Sequence, residues 1–182
     1  MNTNKVKHIS KFLSLILRHN PEKIGLHLDE NGWADVSELL SKANKSGKRL
    51  NLETLIEVVA TNDKKRFAFN EDQTKIRANQ GHSIKVNLEY VAKQPPEFLY
   101  HGTVSKFMGA IREKGLLKMN RHHVHLSSDR DTAIKVGSRR GKPIILSVNS
   151  GEMHQQRILF YQSDNGVWLT DTVAPDFFEF KE

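Results

Sequence analysis

The chain has 182 residues, 27% charged and 37% hydrophobic, which suits one folded domain or two small ones and argues against a disordered chain. Its 28 Lys and Arg against 21 Asp and Glu give a formal charge of +7, so a polyanionic partner is expected, and the absence of cysteine excludes disulfides, thiolate metal sites and thiol nucleophiles. No apolar run is long enough for a signal peptide or a membrane span, which leaves a cytoplasmic location as the expectation.

Val6, Ile9, Phe12, Leu13, Ile16 and Leu17 recur at three-and-four spacing and predict an amphipathic helix. On that wheel Arg18 falls opposite the apolar stripe and His19 near its edge. Pro21 disfavours a helical Asn20, so the helix ends directly after the Arg18-His19 pair. A planar guanidinium suited to phosphate then stands beside an imidazole able to exchange a proton near neutral pH. The plainer alternative is a pair of cations capping the helix dipole.

Ile24, Leu26 and Leu28 alternate and predict a small strand or hairpin, with Asn31-Gly32 turning before Trp33. Asp35 and Glu38 have the spacing of a capping box for a helix through Leu39, Leu40 and Ala43 that Gly47 closes. Asn51 caps a second helix through Leu52, Leu55, Ile56 and Val59, so a helix-turn-helix unit is expected. Its wing follows. Phe67 and Phe69 take one face of a strand and Arg66 with Ala68 the outer one, Asn70 to Gln73 turns the chain, and Ile76 returns to the core with Arg77 outside. Residues up to about Asn79 therefore read as a winged-helix-like module. A DNA-binding regulator is the commonest use of such a module, yet neither helix carries the Arg/Asn/Gln-rich face that base readout needs.

Ile84, Val86 and Leu88 predict another strand, and Ala92-Lys93-Gln94-Pro95-Pro96 reads as a linker, dividing the chain into residues 1–94 and 95–182. In the second half, Phe98 to Tyr100 predicts a strand ending in His101-Gly102-Thr103. Thr103 is expected to cap a helix through Phe107, Ala110 and Ile111 that closes at Gly115. Such a strand-to-helix junction lets backbone approach a ligand closely. Arg121 to Ser127 predicts a strand, Ser128 the cap of a helix over Asp129 to Val136, and Gly137 to Gly141 a basic loop. Ile144 to Val148, Leu159 to Gln162, Val167 to Leu169 and Phe177 to Phe180 predict strands, with Asp164-Asn165-Gly166 as a turn. This half is a strand-rich α+β domain. His122, His123 and His125 would split between two strand faces without a carboxylate at ligand spacing, so no metal is expected.

These pieces together resemble the RNA 2′-phosphotransferase (KptA) family, NAD-dependent enzymes that remove the 2′-phosphate left at a splice junction by certain RNA ligases. The resemblance runs over nearly the whole chain and is carried by Lys11 to Ser14 with Leu17-Arg18-His19, Asp29 to Asp35, Asp63 to Phe67, Ile76 to Ala78, Gln80 to Ser83, Leu99 to Thr103, Val124 to Ser127 and Asn165 to Leu169. It implies an N-terminal winged-helix lobe that engages RNA and a C-terminal ADP-ribosyltransferase-like lobe that holds NAD. It also implies a phosphate-binding tetrad of Arg18, His19, Arg66 and Arg121, with His101, Gly102, Thr103, Ser127 and Arg139 at NAD. Arg140 stands where the family is variable. In the family reaction the RNA 2′-phosphate attacks the nicotinamide-bearing ribose carbon of NAD and expels nicotinamide. The ribose 2″-hydroxyl of this phospho-ADP-ribosylated RNA then attacks the phosphorus, releasing 2′-OH RNA and ADP-ribose 1″,2″-cyclic phosphate. A phosphate monoester with a second pKa of about 6 is already anionic at neutral pH, so the first step needs no catalytic glutamate. The second gathers charge on phosphoryl oxygens, which arginines stabilise.

Two rival readings differ in their products. An ADP-ribosyltransferase acting on nucleic-acid ends or protein would stop after the first step, and a non-catalytic winged-helix binder would release no nicotinamide. Beyond RNA and NAD, no obligate protein partner and no membrane are expected.

Overall fold

A computed structural model describes residues 3–62 and 64–179; Met1, Asn2, Asp63 and the expected strand end at Phe180 lie outside them. The chain divides into two compact units, Met1–Glu89 and Tyr90–Glu182, each mixing helices with small antiparallel sheets, so the class is α+β. Among the described residues no helix is long and apolar enough to cross a membrane.

The first unit contains α1 (Thr3–Arg18), β1 (Ala34–Asp35), α2 (Val36–Lys45), α3 (Leu52–Ala60), β2 (Phe67–Phe69) and β3 (Lys75–Ala78). Helix α1 buries Leu13, Ile16 and Leu17 completely in a core with Leu39, Leu55, Val58, Phe67 and Ile76. Each such burial contributes about 1.5–3 kcal/mol. Asp35 caps α2, its carboxylate accepting from Glu38 N at 2.8 Å. The reciprocal half of the capping box is missing, because Glu38 instead accepts from His27 N and pairs with Lys42. Asn51 caps α3 by accepting from Thr54 N at 2.9 Å. Strand order is β1-β3-β2, all antiparallel. Ala68 stands opposite Arg77 and Phe67 opposite Ala78, so the aromatic and arginine faces separate as the alternation requires.

Two expected strands do not form. Past α1, Pro21 opens a 3₁₀ turn over Pro21–Ile24, Asn20 Oδ1 accepts from Lys23 N at 3.0 Å, and Gly25 at φ 66° reverses the chain. The turn before Trp33 does form, its carboxylate Asp29 accepting from Asn31 N and Trp33 N at 3.1 and 2.9 Å. Over Ile84 to Leu88 the alternation is likewise not strand, for the backbone donors go elsewhere. Ser83 N and Ile84 N donate to the carbonyl of Arg18 at 2.9 and 3.4 Å, and Asn87 N donates to that of Glu30 at 2.8 Å.

The second unit contains β4 (Leu99–Val104), α4 (Ser105–Lys114), β5 (Leu116–Leu117), β6 (Val124–Leu126), α5 (Arg130–Gly137), β7 (Pro143–Val148), α6 (Ser150–Gln155), β8 (Tyr161–Gln162), β9 (Trp168–Thr170), β10 (Thr172–Val173) and β11 (Phe178–Glu179). The sheets run β11-β7-β4, β6-β9-β8 and β10-β5 around Leu99, Leu126, Leu146, Met153, Phe160 and Trp168. The segment expected as a linker is bound into this unit: Lys93 N donates to Phe160 O at 2.8 Å, and Ser150 Oγ to Pro96 O at 2.7 Å.

Several boundaries differ from expectation. Thr103 does not cap α4; it lies within β4 opposite Ile144, because β7 pairs with all six residues of that strand. Asp129, not Ser128, caps α5, accepting from Thr132 N at 2.7 Å. Only Val124–Leu126 pair with β9, so Arg121 to His123 lead into the strand rather than belong to it. The basic loop is a 3₁₀ turn, Ser138–Arg140, continuing α5, and Phe177 ends another, Pro175–Phe177, ahead of β11. Helix α6 was not expected.

Gly102 faces α5 with no clearance. A Cβ there would strike the Ala133 carbonyl and lie 2.9 Å from Gly137 N, so β4 and α5 pack backbone to backbone. Gly102→Ala should therefore destabilise the second unit by about 1–3 kcal/mol. The chain's two tryptophans are Trp33 and Trp168. In a Trp33→Phe background, urea unfolding followed by Trp168 fluorescence measures that loss directly, and an unchanged midpoint would contradict the packing argument.

Candidate active site

Arg18 is the last residue of α1 and is half-buried, its guanidinium carbon 5.9 Å from the centre of the Phe67 ring and its Nη2 donating to Arg66 O at 3.4 Å. His19 follows, exposed, with its N–H still bonded to Leu15 O at 3.0 Å. Its Nδ1 lies 2.9 Å from Ser83 Oγ. Arg66 enters β2 with both its backbone N and its Nη1 at 3.4 Å from Asn62 Oδ1. Asn62 is itself buried and donates to Ser10 Oγ on α1 at 3.1 Å, tying the approach to β2 back to the first helix. Arg18, His19 and Arg66 are thus gathered at one end of α1. Along the outer face of β3, Arg77 stacks on Trp33, its guanidinium carbon 4.5 Å from the ring centre.

In the second unit Arg121 lies between β5 and β6, and Arg139 and Arg140 occupy the 3₁₀ turn after α5. Arg121 is exposed at its surface, yet partial desolvation by the protein around it, then the charges of Arg140 and Arg139, lower its pKa from the ordinary value, although an arginine remains a cation. The charges acting on it are both positive, which makes this an anion-accepting neighbourhood. Arg140, which the resemblance treats as variable, belongs to it.

His101, on β4, has Nδ1 3.1 Å from the carbonyl of His125. A carbonyl only accepts, so Nδ1 carries the hydrogen and Nε2 is the free acceptor of the neutral ring. Burial is the largest cause lowering its pKa; Arg121 and Arg140 lower it further against the opposing effect of the His125 carbonyl. His101 is therefore an uncharged acceptor at neutral pH, fit for a hydroxyl donor. Gly102 and Thr103 serve packing and pairing in β4, with Thr103 buried, and Ser127 is bonded to Tyr100 through both backbone groups at 2.9 and 2.8 Å.

The histidine run does not gather. His123 packs between the rings of Tyr90 and Tyr161, with centroids at 6.1 and 5.5 Å, and His125 offers its carbonyl to His101. Among the described residues no group of three or more His, Asp or Glu is placed to hold a metal.

Sequence reasoning missed Asn62 and Ser83 as supports and Arg140 as a neighbour of Arg121. Ser83 stood in the Gln80 to Ser83 run, a detectable signal; nothing in spacing links Asn62 to Ser10.

Because folded His101 binds its proton more weakly than the unfolded chain does, its stabilising contribution is present above the ordinary pKa of 6.5 and is lost as pH falls below it. Half-buried His123, its pKa lowered chiefly by desolvation, acts in the same direction. NMR titration should place the His101 midpoint below 6.5, and Arg140→Gln should raise it. A midpoint unmoved by that substitution would remove Arg140 from this neighbourhood.

The family model described as "RNA 2′-phosphotransferase, Tpt1 / KptA family" matches residues 3–172. A relative from Flavobacterium johnsoniae is 64% identical over 181 residues, covering 100% of both chains. One from Burkholderia pseudomallei is 55% identical over 171 residues, covering 94% of this chain and 93% of its own. Another, from Escherichia coli, is 52% identical over 179 residues, 98% of this chain and 97% of its own. All three carry the name "Probable RNA 2′-phosphotransferase".

Proposed function

Since the chain belongs to the RNA 2′-phosphotransferase, Tpt1/KptA family, it is an RNA 2′-phosphotransferase, and we propose that it works by moving an internal RNA 2′-phosphate onto NAD. In this reading the first unit is a winged-helix RNA lobe and the second an ADP-ribosyltransferase-like NAD lobe, in a cytoplasmic enzyme. The observation that carries it is the gathering of Arg18, His19 and Arg66 at one helix end, two guanidinium cations and an imidazole of the type a dianionic phosphate requires.

Arg18 and Arg66 grip the RNA phosphate, and their half-burial strengthens that attraction relative to an exposed pair. The phosphate is its own nucleophile, so no side chain removes a proton in the first step. NAD supplies, when bound, an electrophilic ribose carbon with nicotinamide as leaving group. The residues of the second unit fit it: neutral His101 offers Nε2 to a ribose hydroxyl, while Arg121 and Arg139 supply charge for phosphate oxygens. Gly102, Thr103 and Ser127 complete the NAD set by fixing the strand that carries His101, through packing on α5, pairing with β7 and bonding to Tyr100. In the second step Arg121 stabilises charge on the phosphoryl group, and His19 donates to that group or takes the proton of the attacking hydroxyl. No metal takes part in this reading.

The test is incubation with NAD and a short RNA bearing one internal 2′-phosphate. The expected products are 2′-OH RNA, nicotinamide and ADP-ribose 1″,2″-cyclic phosphate in equal amounts. His19→Ala and Arg121→Ala should each slow the second step at least about 100-fold, a typical loss for one transition-state contact, so that phospho-ADP-ribosylated RNA accumulates. Unaltered product ratios in both variants would remove the tetrad. A wild-type protein that leaves ADP-ribosylated RNA unresolved would instead be an ADP-ribosyltransferase.

A further inference from the structure

We propose that Ser83 is a positioning residue that turns the ring of His19 so that Nε2, and not Nδ1, meets the reacting phosphate; this rests on the assignment of His19 to the phosphate site. The run Asn79 to Ile84 is fastened at both ends to the residues that carry the charge. Asn79 N donates to Arg66 O at 2.9 Å and its side-chain amide to Lys65 O at 2.7 Å, while Ser83 N and Ile84 N donate to Arg18 O at 2.9 and 3.4 Å. Between these anchors His82 is 1% exposed and Gly81 turns the chain at φ 83°. The hydroxyl of Ser83 therefore has a fixed origin, although the residue itself is exposed.

The ring of His19 stands at an exposed position one residue past the helix, where its two side-chain torsions have to be set by the groups the ring meets. At 2.9 Å, Ser83 Oγ engages Nδ1, which makes Nε2 the ring nitrogen on the side away from Ser83. Histidines with a chemical task are commonly oriented this way, through the nitrogen that does not react.

The chemical type of the partner matters as well. A hydroxyl accepts from Nδ1–H whether Nε2 carries a proton or a lone pair, so it serves a ring that donates to phosphate and a ring that has taken the proton of an attacking hydroxyl. A carboxylate in the same place would set a negative charge beside the incoming phosphate and repel it. Serine orients without adding charge.

Three substitutions separate these effects. Ser83→Val keeps the branched shape of threonine without the hydroxyl, Ser83→Thr keeps the hydroxyl, and His19→Ala removes the ring. Pre-formed phospho-ADP-ribosylated RNA isolates the second step, and thermal unfolding checks that each variant is folded. Ser83→Val is expected to slow that step about 10- to 100-fold, as losses of orienting partners do, and Ser83→Thr to restore most of it. Nitrogen-15 NMR of the His19 imidazole should show protonated Nδ1 in the wild type and exchange between tautomers in Ser83→Val.

Equal rates for the valine and threonine variants would overturn the proposal, as would a tautomer unchanged by valine. If His19→Ala itself leaves the second step at wild-type rate, the assignment of His19 fails, and with it the reaction that Ser83 would serve.

Discussion

Helix α1 has to stop where it does. Pro21 denies Asn20 a helical conformation, so the helix releases its last carbonyls directly beside Arg18 and His19. The carbonyl of Arg18 is then taken by two backbone N–H groups from Ser83 and Ile84, and the guanidinium of the same residue reaches the carbonyl of Arg66. A single helix end thus draws together three segments far apart in sequence. Had the helix run one turn further, its own backbone would have satisfied those carbonyls and the later segments would have had nothing to bind.

The second unit meets a different constraint, the mutual repulsion of like charges. Arg121 and Arg140 raise the potential around His101, and Arg140 and Arg139 raise it around Arg121. For His101 the outcome is a ring kept neutral by burial and by its cationic neighbours, with the hydrogen pinned on the nitrogen that faces the His125 carbonyl. The two units therefore treat their histidines differently: one is exposed at a helix end beside a hydroxyl, the other is half-buried and kept neutral by cationic neighbours.

What could be read from sequence was local. The stripe of α1, its end at Pro21, the caps at Asp35 and Asn51 and the outward face of Arg77 all follow from neighbours within a few residues. Misreadings arose where distant groups competed. Ile84, Val86 and Leu88 have the period of a strand, yet the donors of Ser83 and Ile84 are spent on α1. Thr103 looks like a cap until β7 pairs through it, and Ser128 loses the capping role to a carboxylate one residue on. In the candidate site the charged residues were legible from resemblance, and Arg18 and Arg66 partly from periodicity. Their supports were not, because Asn62 with Ser10 and Ser83 with His19 join positions 52 and 64 residues apart.

Those supports share a property. Asn62 offers an amide, Ser83 a hydroxyl, Arg66 a carbonyl and Phe67 a ring to the Arg-His-Arg group, and all four are neutral. They fix geometry without adding a negative charge of their own, as a carboxylate in any of those places would. An arriving dianion therefore meets no negative charge from these four groups.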